Sequence, residues 1–258
     1  MKNARITIDL NCDMGELPHL LMDGTEEALM QEISSANIAC GGHAGSVESM
    51  QALVKLATKY GVAVGAHVSY PDRTNFGRKE MPMSADEIEE TVHSQISILA
   101  KVAAELGTRV HHVKPHGALY HAAQKNEAIA TAIADAAHRF DKTLVLVEQA
   151  STAVLSFWSK RGHPTMAEAF ADRRYEKDGR LRSRDLPAAL ITDPALAAEQ
   201  AVGIARGHIV IAGDGSRLRL EAQTICLHGD TPGAVGNAKG IKIALRDAGI
   251  TLAAHPQH

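Results

Sequence analysis

Aromatic residues are scarce in this chain, at 3% of 258 residues, with a single Trp. The core must therefore rest on Ala, Val, Leu and Ile. Cysteine is scarce too: Cys12, Cys40 and Cys226 are odd in number and form no CxxC pair, which argues against a disulfide framework and against a structural zinc site. They read most simply as small buried hydrophobes. Positive charge is not in excess, since 27 Lys and Arg face 30 Asp and Glu for a net charge of -3. A duplex-binding protein concentrates positive charge, so nucleic acid is excluded as the main partner. No run approaches the roughly 18 apolar residues of a membrane span. The segment MKNARITIDLNCD turns polar and acidic too early for the apolar stretch of a signal peptide. Low-complexity tracts, fixed-period repeats and Pro/Ser-rich linkers are also missing. The expectation is a soluble, cytoplasmic chain forming one domain over 1–258.

What is present is a regular alternation. Short β-branched runs at Arg5–Leu10, Ala36–Cys40, Val62–His67, Arg109–Lys114, Thr143–Val147, Thr165–Ala169 and Gln223–His228 are separated by stretches with helical spacing. The clearest helix runs from Ser84 to Leu106, with Ser84 and Glu87 as a capping box and Gly107 as the stop. Others span Val47–Lys59, Glu127–Arg139, Pro194–Arg206 and Ala234–Ala248. Such alternation predicts an α/β fold, a parallel sheet with helices outside. An open doubly wound sheet is the alternative, but no GxGxxG turn follows the first strand. The length sits near the roughly 250 residues of a β/α barrel, and seven strands rather than eight are expected. From Ala188 to Arg219 the alternation blurs.

Histidine is abundant, at 14, and its placement carries the functional signal. The first strand runs into Asp9, Asn11, Asp13 and Glu16, the second into His43 within CGGHAG, and the third ends at His67. The fourth carries Lys114 and His116 within HVKPHGALY. The fifth ends near Glu148 and Gln149, the sixth in Glu168 and FADRRY, and the last at His228 and Asp230. In a parallel barrel these ends share one rim, where active sites lie. A lone His at a strand end is ordinarily a hydrogen-bonded structural residue, and alternating Asp9, Asn11 and Asp13 could merely tie down a turn. Several strands ending alike read instead as one functional site. Lys114 and His116, two apart, should project to the same side of their strand. His111 reads as structural. His19, His93, His121, His138, His163, His208, His255 and His258 read as surface groups. The segment Arg173–Arg184 is either a solvated loop or a lid whose arginines grip a carboxylate or phosphate. No GxxxxGK[ST] occurs, so a nucleotide would not be held by a P-loop.

Taken in order, DLNCDMGE, NIACGGHAG, GAHVSYPDRTNFGR, VKPHGALY, FADRRY and TICLHGD resemble the LamB/YcsF family over nearly the whole chain. That family is identified with the A subunit of the prokaryotic ATP-dependent 5-oxoprolinase. The resemblance implies an irregular, seven-stranded, TIM-like barrel of the glycoside hydrolase/deacetylase type. It implies hydrolysis of 5-oxo-L-proline to L-glutamate while ATP goes to ADP and phosphate, in a complex with subunits B and C. Carried over by residue, the matching polar positions are Asp9, Asn11, Asp13, Glu16, Asn37, His43, His67, Tyr70, Asp72, Arg78, Lys114, His116, Tyr120, Asp172, Arg173, Tyr175, Arg184, His228 and Asp230. The chain departs from the family at Gly42 (usually Phe), Ser46-Val47 (Asp-Pro), Val68 (Pro), Ser183 (Pro) and Ala188 (Gly). Ser46 removes a carboxylate expected at the rim.

A lactam amide is a poor electrophile, and phosphorylating its oxygen would make the carbon attackable by water. Such a site needs cations for phosphates, a base for water and donors for the oxyanion. Asp13, His43, Lys114, His116 and Asp230 are the expected catalytic groups. Asp9, Asn11, Glu16, His67, Tyr70, Arg78, Arg173, Tyr175, Arg184 and His228 are expected to bind substrate. Asp13, His43, His67 and His116 could hold a divalent ion such as Mg²⁺ beside ATP. Two other readings use the same residues: a metal-dependent deacetylase or amidohydrolase without ATP, and a non-catalytic substrate-binding subunit.

Overall fold

The computed structural model describes residues 6–254; His255, His258 and Arg5 lie outside that range. In chain order the elements are β1 (Thr7–Met14), α1 (Pro18–Met22), α2 (Thr25–Met30), β2 (Ser35–Ala39), α3 (Val47–Tyr60), β3 (Ala63–Val68), α4 (Ala85–Glu105) and β4 (Val110–Pro115). There follow α5 (Gly117–Ala123), α6 (Glu127–Phe140), β5 (Val145–Gln149), α7 (Ala153–Lys160), β6 (Thr165–Phe170), α8 (Pro194–Gly207), β7 (Ile209–Ile211) and β8 (Arg217–Arg219). The chain continues through β9 (Thr224–His228), α9 (Ala234–Asp247) and β10 (Thr251–Leu252). Strands β1 to β6 pair in parallel in sequence order, and β9 joins β6 to β1, closing a seven-stranded barrel. The stretch of blurred alternation holds α8 and then β7 and β8, an antiparallel hairpin outside the barrel.

The first strand is longer than its β-branched run suggests. It continues to Met14 because its polar residues alternate with Leu10, Cys12 and Met14. Period-two alternation sends Ile8, Leu10, Cys12 and Met14 outward into the apolar layer under the helices, and Asp9, Asn11 and Asp13 into the barrel. The same parity in other strands turns Asn37, His67, His112, Lys114, Glu168, Thr224 and Cys226 inward, where their side chains meet. A barrel interior is ordinarily packed with branched aliphatics. Here Val145, Val147 and Met166, on β5 and β6, form a separate apolar cluster, Phe170 lies beside Lys114 and His228, and polar side chains from the other strands make up the network.

The helices start where the sequence marks them. Ser84 and Glu87 form a reciprocal capping box at α4, and Ser46 and Ser49 form one at α3. Position 46 is thus a helix cap, and the Ser that replaces the family's Asp keeps that role. Ala188 lies at φ 56, the left-handed conformation that favours the glycine usual in the family. All three cysteines are free and buried. Trp158 is fully buried, with Nε1 donating to Ala130 O at 2.8 Å. Among the described residues, no helix is long and apolar enough to cross a membrane.

Candidate active site

The site grows out of the barrel's polar interior. At its lower end Asp9 accepts hydrogen bonds from the hydroxyls of Ser34 (2.6 Å), Ser35 (2.7 Å) and Thr224 (2.5 Å). One step up, Asn11 donates to Glu168 Oε1 at 3.0 Å and Thr224 Oγ1 at 2.7 Å. Asn37 donates to Asn11 Oδ1 and Asp13 Oδ1, both at 2.7 Å. His112 completes that layer by donating from Nε2 to Asn37 Oδ1 at 2.7 Å. Burial pushes His112 down to about 3, so it is neutral. Its approach depends on Gly65, where an added Cβ would lie 1.9 Å from His112 Nε2.

Lys114 crosses the barrel above this layer. Its Nζ lies 2.8 Å from Asp13 Oδ1 and 2.9 Å from Glu168 Oε1, and it donates toward Cys226 Sγ at 3.2 Å. Burial alone would lower its pKa, but Asp13, Cys226 and Glu168 outweigh burial and hold it well above the ordinary lysine value. Burial likewise opposes ionisation of Asp13, yet His67 and Lys114 hold its carboxyl well below the usual range. A buried cation flanked by two carboxylates is what lets a charged lysine sit inside a protein at all.

The mouth holds the imidazoles. Glu16 Oε1 lies 3.0 Å from His43 Nε2, 3.0 Å from His116 Nδ1 and 3.5 Å from His67 Nε2. The other faces of two rings are tied down: His67 Nδ1 is 3.0 Å from Lys114 O, and His116 Nε2 is 3.0 Å from Phe76 O. The loop after β3 brings that carbonyl in through two consecutive left-handed residues, Phe76 (φ 55) and Gly77 (φ 62). A Cβ on Gly77 would fall 2.9 Å from His43 Cβ. His43 is fixed through its own loop, because Arg73 donates to Gly41 O and Gly45 O at 3.1 and 2.9 Å. Burial lowers His43 to about 4. His67 goes the other way, to about 9: burial would lower it, but Asp13 and Glu16 more than compensate.

Beside this group stands a carboxylate–imidazole pair. His228 Nδ1 is 3.0 Å from Asp172 Oδ2, which also accepts from His228 N at 2.8 Å and Thr231 Oγ1 at 3.1 Å. The His228 ring stacks on Phe170, with centroids 5.7 Å apart. A ring nitrogen of His228 lies within 4.8 Å of Asp13 and Cys226. At the outer edge Asp230 faces Arg184 at 3.3 Å and Arg78 at 3.5 Å, so the segment after β6 and the loop after β3 meet across the opening. Arg173 is buried; it donates to Arg182 O at 2.8 Å, and its Nε has no partner among the described residues.

The residues singled out from sequence thus fall into three places. Asp13, Glu16, His43, His67, Lys114, His116 and His228 converge at the mouth, with Arg78, Arg184 and Asp230 on its edge and Arg173 beneath. Lys114 and His116 do face the same interior, although they meet different carboxylates. Asp9 and Asn11 lie deeper, inside the barrel rather than at a strand end. Tyr70 packs into the apolar core, and Tyr175 is fully buried with its hydroxyl accepting from Phe170 N at 2.7 Å. From sequence Glu168 falls at the rim but carries no expected role, and His112 is not among the expected site residues. The signal was strand parity: Glu168 alternates with Ala167 and Ala169 on β6, and His112 is two residues before Lys114. At Gly42, the space that the family's usual Phe would claim is taken by Ser69 Oγ and Gln95 Oε1, which would lie 2.5 and 2.7 Å from an added Cβ.

Comparison with known proteins agrees with this fold. The LamB/YcsF family matches residues 8–258. The A subunit of 5-oxoprolinase from Chloroflexus aggregans is 49% identical over 247 residues, spanning 96% of this chain and 98% of that protein. The crystal structure of a lactam utilization protein from Thermus thermophilus superposes with a TM-score of 0.90 at 39% identity, covering 96% of this chain and 100% of that one. The polysaccharide deacetylase Bc1974 from Bacillus cereus, at 16% identity and a TM-score of 0.53 over 98% of this chain and 93% of that one, shares the fold alone. The chain belongs to the LamB/YcsF family.

Proposed function

We propose that this chain is the ring-opening subunit of a cytoplasmic 5-oxoprolinase, hydrolysing the lactam amide of 5-oxo-L-proline to L-glutamate. The observation that carries the reading is the 49% identity to the A subunit of the Chloroflexus aggregans 5-oxoprolinase over nearly the full length of both chains. The conversion of ATP to ADP and phosphate belongs, in this reading, to the assembly with subunits B and C.

The lactam occupies the mouth above Lys114, between the imidazole group and His228. Asp172 holds His228 Nδ1–H toward itself and so leaves Nε2 to take a proton from water or deliver one to the departing nitrogen. Lys114 acts through its neighbours: its charge keeps Asp13 ionised beneath the reacting amide. Arg173 and Arg184 offer guanidinium groups to the substrate carboxylate, and the unpartnered Nε of buried Arg173 is the donor such an anion would satisfy. Asp230, paired with Arg184 and Arg78, shares those guanidinium groups with that anion.

A magnesium ion accompanying ATP would take oxygen ligands. Three imidazoles and one carboxylate are a poor match for it, so Mg²⁺ is assigned to the nucleotide phosphates and not to the imidazole group. The same group favours a second reading, direct amide hydrolysis without ATP. Glutamate and ADP formation from 5-oxo-L-proline, followed with the chain alone and with subunits B and C, separates the two. The expected result is little turnover by the chain alone and ATP-dependent glutamate release by the assembly. Glutamate release without ATP favours the second reading, and no release from the complete assembly overturns both.

A further inference from the structure

The hydrogen bonds around His67 and His116 fix how their rings are turned. With Nε2 on Phe76 O, His116 turns Nδ1 into the mouth, and with Nδ1 on Lys114 O, His67 turns Nε2 to the same point. These two nitrogens are 3.0 Å apart. Both face Glu16 Oε1, as does His43 Nε2. Four atoms able to ligate a metal therefore face one small, largely buried volume and lie within 4.8 Å of one another.

We propose that Glu16, His43, His67 and His116 form a resident binding site for one borderline transition-metal ion of the Zn²⁺ class. Ligands about 2.0–2.1 Å from a tetrahedral ion stand about 3.3 Å from one another. The separations here are 3.0, 3.0 and 3.5 Å from Glu16 to the three rings and 3.0 Å between His67 and His116. The imidazole-rich set selects Zn²⁺, Co²⁺ or Ni²⁺ over Mg²⁺ and Ca²⁺. Two ligands carry the outer support usual for metal-binding histidines, the far ring nitrogen donating to a backbone carbonyl, and the strained Phe76–Gly77 turn supplies one of those carbonyls. His43 and His116 stack with parallel rings at 3.7 Å, so taking up an ion requires His43 to rotate. That rotation shifts its Nε2 contact with Glu16, while its Nδ1, buried with no partner among the described residues, has no hydrogen bond to give up. Held by all four residues, an ion would have to release one of them or accept a fifth ligand before it could polarise an amide oxygen or a water.

The inference concerns the same mouth as the ring-opening reading but does not need lactam chemistry to hold. Tag-free chain is stripped with a chelator and titrated with Zn²⁺, Co²⁺ and Mg²⁺, without ATP or substrate, while bound metal is counted and the visible absorption of Co²⁺ is recorded. One equivalent of Zn²⁺ or Co²⁺ is expected, with intense tetrahedral-type Co²⁺ bands and no stoichiometric Mg²⁺. His43→Ala and Glu16→Gln should each weaken binding by at least about tenfold, the lower end of what losing even an outer-shell partner costs. Exposed His121→Ala should leave it unchanged. Folded protein that takes up no Zn²⁺ or Co²⁺ overturns the site, as does binding that survives both mouth substitutions. If a variant fails to fold, the wild-type Co²⁺ spectrum decides alone: bands of the octahedral type, or none, overturn the proposal. Lack of 5-oxoproline hydrolysis by a chain that binds one ion leaves the site standing and removes only the substrate assignment.

Discussion

Lys114 Nζ reaches across the barrel from β4 to place itself 2.8 Å from Asp13 Oδ1 on β1, with Glu168 of β6 at 2.9 Å on its other side. Lys114→Met would leave two carboxylates buried without their cation. Breaking such a group costs about 3–5 kcal/mol, and chemical denaturation of the variant should show a loss of that size. Adding Glu168→Gln should return part of it, because one uncompensated charge disappears. Unchanged stability in Lys114→Met would mean that the lysine is not the counter-charge of this network.

His228 is the group with the geometry of a proton carrier. In the assembled enzyme, His228→Ala should lower turnover by about 100-fold or more, the range expected for loss of a general acid–base. Asp172→Asn should lower it too and alter the pH–rate profile, since the amide no longer fixes the imidazole tautomer. Normal kcat in a folded His228→Ala enzyme removes this residue from the chemistry.

Gly65 is required for close approach rather than for backbone freedom. A methyl there would meet His112 Nε2 at 1.9 Å, forcing the ring off Asn37 Oδ1. Gly65→Ala should cost about 1–3 kcal/mol. In a His112→Ala background the added cost should nearly vanish, a coupling that a double-mutant cycle measures directly. Equal penalties in both backgrounds would place the clash elsewhere.

Glu148 gives stability a pH dependence. Burial pushes its carboxyl up to about 8 from an ordinary 4.5, with Glu168 adding to the shift against hydrogen bonds from Gln149 N and Gln124 Nε2. Between those values the folded chain keeps a proton that the unfolded chain has lost. Stability contributed by this group is therefore complete below about 4.5 and falls as pH rises toward 8. Glu148→Gln should change stability little at pH 5 and raise it at pH 8 by roughly 4 kcal/mol. Melting curves of the two proteins across that window test it, and parallel curves would refute it.

Much of the architecture was legible in the order of residues alone. The seven barrel strands, the five long helices and the capping residues Ser84 and Glu87 are local matters: alternation, helical spacing and cap chemistry act over a few positions. The histidine-bearing segments CGGHAG, GAHVSYPD and VKPHGALY announced themselves because parallel strands in a barrel deliver their ends to one rim. Less legible was the length of β1, since its Asp9, Asn11 and Asp13 look like a turn when only neighbours are considered. They are strand residues because the closed barrel gives polar side chains an interior lined with partners. Glu16, rather than Asp13, closes the ring of imidazoles, and Glu168 shares Lys114 with Asp13 although β6 and β1 lie far apart along the chain. No local pattern encodes either pairing. Sequence determines which groups face inward on each strand; strand register, barrel closure and the tilt of the loops decide which inward groups meet. Those depend on non-local hydrogen bonds and on the energetic cost of burying any charge without a partner.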